Sequence, residues 1–234
     1  MVEVGASVSA ALVALAFGLS TLERWLVRRR PHELAWTVAL AMFLVASAAL
    51  ATGAEAGWTG ASFRVFYLFG AVLNVPVLAL GTVFLLARPA TARRWALAVA
   101  VAGGFAAGVL ATSPFTHRLP RHRLPQASEV FGPLPRALAG LGSGAGAVVL
   151  VGGAAWSAWR ALAGRSPRGV SPRRLAVGNF LVAAGTLVSG ASGLLNSAAG
   201  QMTGFAVALV VGIAVIFAGF LAIAAGQAPT GEEP

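Results

Sequence analysis

Stretches of roughly 20 apolar residues, most of them bordered by arginine on at least one side, decide what this chain can fold into. A helix of that length crosses the ~30 Å hydrocarbon core of a bilayer, and 234 residues leave room for about seven such helices. Only 10% of the residues are charged, whereas a soluble domain keeps about 25% to cover its surface. The expected fold is all-α: a bundle of seven transmembrane helices forming one domain over 1–226, with a disordered polar tail at 227–234. The helices are placed at about 7–27, 33–54, 63–86, 95–112, 137–159, 175–195 and 203–225, with one long loop at 113–136.

All seventeen basic residues are arginine. Twelve fall at or beyond the ends of helices one, three and five: Arg24, Arg28, Arg29, Arg30, Arg88, Arg93, Arg94, Arg160, Arg165, Arg168, Arg173 and Arg174. The other side holds five, namely Arg64, Arg118, Arg121, Arg123 and Arg136. Basic loops stay in the cytoplasm, so the N-terminus is expected outside and the C-terminus inside. Trp25, Trp36, Trp95, Trp156 and Trp159 then form an aromatic belt at the inner interface. The net charge of +10 reflects membrane topology, and no nucleic-acid partner is expected; the partner is the lipid bilayer. The N-terminus carries Glu3 and no positive charge, unlike a cleaved signal peptide.

Three absent residue types narrow the chemistry. Without cysteine there is no disulfide, thiolate ligand or c-type haem attachment. Without lysine there is no Schiff base to retinal or pyridoxal phosphate. Without aspartate, and with glutamate only at helix ends and in loops, a buried carboxylate relay is not expected. Glu23 is expected to form an ion pair near the inner interface. None of the three histidines falls within a predicted span, which disfavours a bis-histidine haem. No nucleophile–base pair or phosphate-binding loop appears, so no cofactor, no metal site and no catalytic residues are expected.

The third helix, FRVFYLFGAVLNVPVLALGTVFLL, carries the most information. Pro76 gives no backbone N–H and opposes the carbonyl of Val72, so a kink is expected there. The freed carbonyl needs a partner in hydrocarbon: a side chain, a water or a ligand. At 100° per residue Arg64, Tyr67, Asn74 and Thr82 share about one quarter of the circumference, a stripe expected to face inward. Helix six has a similar stripe of Asn179, Thr186, Ser189, Gly193 and Asn196. If the two stripes face each other they line a pocket open to the outside. Arg64, Tyr67, Asn74, Thr186, Ser189 and Asn196 would bind a small polar or anionic ligand there, with Pro76 as a hinge. Such residues also serve plain helix packing, as do the GxxxG pairs Gly140/Gly144, Gly142/Gly146 and Gly104/Gly108 and the spaced Gly212, Gly219 and Gly226.

The external loop holds the tandem HRLPRHRLP. His117, Arg118, Arg121, His122 and Arg123 could contact an anion or a lipid headgroup, although a solvated, polyproline-like loop is the plainer reading.

FRVFYLFGAVLNVPVLALGTVFLL, together with VGNFLVAAGTLVSGASG at Val177 to Gly193, resembles a family of small multi-pass membrane proteins of actinobacteria. The resemblance implies a bacterial plasma membrane and no particular activity. Three functions follow as expectations. The first is binding or transport of a small polar or anionic ligand between helices three and six. The second is a non-catalytic assembly or accessory subunit of a membrane complex, or a homo-oligomer. The third is an enzyme acting on lipid headgroups at the external loop.

Overall fold

The structure, a computed structural model, describes residues 2–120, 123–164, 172–199 and 202–224. Among them there is no strand, and seven main helices follow in order. They are α1 (Val2–Arg28), α2 (Pro31–Ala56), α3 (Gly60–Leu86), α4 (Pro89–Thr112), α5 (Pro133–Leu162), α6 (Pro172–Ala199) and α7 (Met202–Ala224). One further helical turn, Ala127–Val130, lies in the loop before α5. Helices α1 to α5 are each long and apolar enough to cross a membrane. The apolar stretches described in the last two helices, Ala176–Ser189 and Val207–Ala222, are shorter. The expected tail at 227–234 lies outside the described residues.

Three helices start on a proline, Pro31, Pro89 and Pro133. Pro31 and Pro89 follow the arginines that close α1 and α3, and each opens the next helix. A helix leaves its first N–H groups unbonded in any case, and the fixed φ of proline suits the first position. Each of these helices therefore begins two to six residues earlier than expected. Helix α3 starts differently, on a capping box: the Ser62 amide donates to the Thr59 hydroxyl at 3.1 Å and the Thr59 amide to Ser62 Oγ at 3.0 Å.

Packing follows chain order except at one helix. The pairs α1–α2, α2–α3, α3–α5, α5–α6, α6–α7 and α7–α1 close a ring of six. Helix α4 lies outside it, against α3 and more lightly α5, and buries only Ala92, Ala106 and Leu110. Phe17 of α1, Leu40 of α2 and Ile213 and Ile216 of α7 form one apolar cluster within the ring.

Glycine sets the closest approaches. A Cβ added to Gly146 of α5 would stand 2.9 Å from the Pro76 nitrogen and from the Val75 carbonyl. One on Gly142 would stand 3.0 Å from the Val72 carbonyl oxygen. On α6 and α7, a Cβ at Gly185 would lie 2.7 Å from the Gly212 oxygen, and one at Gly219 2.7 Å from that of Gly178. Gly104, Gly108, Gly140 and Gly144 instead face open space. Gly226 lies outside the described residues. Only glycine fits where two backbones touch, so Gly146→Leu should lower stability in detergent by about 1–3 kcal/mol through overpacking. Gly140→Leu should change it little. Thermal unfolding of the two purified variants checks the contrast.

Candidate functional site

The midpoint of α3 is not α-helical. Tyr67–Leu73 is a π-helix, after which Asn74–Leu86 resumes the α form. Pro76 explains the change: without an N–H it cannot close an α-turn onto Val72, and the ladder widens just before it. Helix α5 supplies what the break requires. Ser143 Oγ donates to the Ala71 carbonyl at 2.5 Å, and Gly142 and Gly146 bring the α5 backbone against Val72 to Pro76. A serine side chain thus reaches the carbonyl of Ala71, one residue before the Val72 carbonyl that was expected to need a partner.

The four polar residues of the α3 stripe face four different neighbours. The Arg64 guanidinium donates from Nε to the Leu110 carbonyl and from Nη2 to that of Ser113, each at 2.9 Å. These carbonyls belong to the open C-terminal end of α4, which attracts a cation. The guanidinium also lies 4.2 Å from the centroid of the Phe115 ring. Tyr67, 7% exposed, packs in an aromatic cluster 5.9 Å from Phe63 and 5.2 Å from Phe131. Asn74 Nδ2 donates to the Ala39 carbonyl of α2 at 2.9 Å. Thr82 presses its methyl toward Gly153 of α5. A π-turn takes in an extra residue, so positions beyond it are rotated away from where an unbroken α-helix would put them.

The polar stripe of α6 meets α7. Thr186 is buried and donates to the Val182 carbonyl at 2.8 Å within its own helix. Ser189 lies against Gly212. The Asn179 Nδ2 atom is buried without a hydrogen-bond partner among the described residues. The side chain of Asn196 lies outside the described residues. Helix α5 packs on both α3 and α6, so the structure does not bring the two stripes face to face as expected.

The described residues of the long loop, 113–120 and 123–132, carry bonds of their own. The Thr116 amide donates to the Val130 carbonyl at 3.0 Å, and its hydroxyl to that of Glu129 at 2.8 Å. His117 Nδ1 lies 2.8 Å from the same Glu129 carbonyl. Arg123 forks onto the Glu129 carboxylate at 2.9 and 3.2 Å. Leu124, Val130 and Phe131 are buried, and Phe131 stacks on Phe63 and Phe115 at 5.5 and 5.2 Å. His117 and Arg123 thus help close a cap over one end of the bundle. Arg118 is exposed, and Arg121 and His122 lie outside the described residues.

One site was missed. Glu33, in the first turn of α2, is only 4% exposed, and its Oε2 has no hydrogen-bond partner among the described residues. Arg24 of α1 is its electrostatic neighbour. Next to it, the Thr37 hydroxyl bridges the Glu33 carbonyl and Thr21 Oγ1 at 2.8 and 3.0 Å. Glu23, expected to form the ion pair, is exposed and makes none among the described residues. The signal lay in Glu33 and Thr37, four residues apart on one face of α2, opposite Thr21.

Two grooves open on the surface. One of ≈ 370 Å³ lies between the ends of α3 and α5 and the start of α4, lined by Thr82, Leu86, Trp95, Gly153 and Trp156 among others. The second, ≈ 630 Å³, runs along α4 from Arg94 to Phe105. No protein-family model, curated protein or solved structure matches the chain. The resemblance to small actinobacterial membrane proteins therefore transfers no activity.

Asn74 ties α3 to α2 through one interhelical bond, a class that contributes about 0.6–2 kcal/mol in membranes. Asn74→Ala should lower unfolding stability by that amount. Unchanged stability, measured in detergent by tryptophan fluorescence, would show that the bond holds nothing together.

Proposed function

We propose that this is a seven-span bacterial plasma-membrane protein, N-terminus outside, serving as a non-catalytic assembly or accessory subunit of a membrane complex. The observation that carries the reading is how α3 spends its polar groups. Asn74 is bonded to α2, Ser143 of α5 to α3, and Arg64 to the end of α4. Groups of this kind at bilayer depth hold helices together. Outside the ring, α4 keeps most of its length uncovered, with Gly104 and Gly108 facing open space. Small residues on a lipid-facing helix let another backbone approach closely.

Photo-crosslinking from position 108, on the open-glycine stretch of α4, in the native membrane should join this chain to one defined partner, and mild solubilisation should keep the pair together. Recovery of the chain alone, with crosslinks only to lipid, sinks the proposal. The orientation has its own test, since the chain has no cysteine of its own. Arg118→Cys should react with an impermeant thiol reagent in intact cells, and Arg160→Cys only after lysis. The reverse pattern inverts the topology.

Ligand binding or transport remains a second reading, favoured by the π-helix at Tyr67–Leu73, because such segments frequently mark functional sites. It requires Asn74→Ala to alter uptake or binding of a small polar or anionic solute beyond the loss of folded protein.

A further inference from the structure

The arginine-rich end of α4 carries features that neither helix packing nor a partner helix explains. Arg88 precedes the helix, Arg93 and Arg94 lie in its second turn, and Arg160 follows Trp156 by one turn of α5. All four are exposed, and none makes a side-chain ion pair or hydrogen bond to another described residue. Between them Trp95 and Trp156 stand 56% and 53% exposed. Both grooves start here. Trp95 opens the one that runs between α3 and α5 past Gly153 and Val149. Arg94, its neighbour, heads the second track over Leu97, Val101 and Phe105.

We infer that this end of α4 binds one anionic diacyl phospholipid, its phosphate on the arginines and its two acyl chains in the two grooves. Dimensions and charge agree. Arg94 to Phe105 covers about 16 Å at ~1.5 Å per residue, close to the ~15 Å hydrocarbon depth of one leaflet. The residues lining that track recur at helical spacing, so they form one continuous stripe. Tryptophan at headgroup level and basic pockets between helices are the usual receptors for an acidic headgroup. An apolar helix of a partner would fill the grooves but leave the arginines unmatched.

The test uses full-length protein in mild detergent and native mass spectrometry, with phosphatidylglycerol and phosphatidylcholine of identical chains. Phosphatidylglycerol should be retained preferentially. Each arginine near an anionic headgroup contributes a factor of about five, so Arg93→Gln with Arg94→Gln should weaken retention about 25-fold. Ala102→Trp, which crosses the second track and leaves every arginine in place, should also lower it, and keeps the idea testable if the double variant does not fold. Inorganic phosphate should not displace the lipid. Equal retention of the two lipids, variants that bind like wild type, or displacement by phosphate alone would overturn the inference. So would a photo-crosslinker at position 98 that captures protein in place of lipid.

Discussion

A backbone carbonyl released inside hydrocarbon has no water to turn to, and this requirement, set by Pro76, organises the middle of the molecule. The α3 ladder widens into a π-turn, and a neighbouring helix has to come close enough to deal with the result. Only a helix with glycine at the contact can do so, and α5 presents Gly142 and Gly146 there, with Ser143 between them as a donor. From that contact the order of the ring follows. With α5 seated on α3, α6 packs beyond α5 and α7 closes back on α1.

The two ends of the bundle are built by opposite means. At one end residues 113–120 and 123–132 fold over α3 and α4, holding Phe131 in an aromatic cluster with Phe63, Tyr67 and Phe115. Arg64 and Glu129 draw the local polar groups into that cap. At the other end Arg29 lies 4.7 Å over the Trp25 ring, and Arg88, Arg93, Arg94 and Arg160 extend outward. One end is sealed by protein, while the other offers charge.

The spans were legible because long apolar runs leave a chain without other options, and five of them stand as expected. That Asn74 would look inward was legible for the same reason: an amide facing lipid carries a steep cost. Which neighbour it would meet was not, because a helical wheel assumes an unbroken 100° step and the π-turn interrupts it between Tyr67 and Asn74. Thr82 and Asn74, placed together on the wheel, meet α5 and α2. The starts of α2 and α4, expected at about 33 and 95 and found at Pro31 and Pro89, were less legible, since proline marks a boundary without saying on which side the helix lies. The burial of Glu33 depends on how α2 leans on α1, and periodicity within a single helix carries no such information.

Inside a bilayer, apolar contact does not by itself distinguish a partner from the surrounding acyl chains, because lipid is as apolar as leucine. Recognition there has to come from close backbone packing, from polar pairing or from headgroup charge. Around α3 the pairing groups are committed to the protein's own assembly: Asn74 to α2, Ser143 to α3, Arg64 to the end of α4. The two remaining means occur together on one helix. Helix α4 carries open glycines toward its capped end and, at the opposite one, arginines unpaired among the described residues. A helix needed only to complete the fold would be expected to bury more than Ala92, Ala106 and Leu110. The position of α4 outside the ring therefore makes it the surface from which specificity toward the rest of the membrane has to arise.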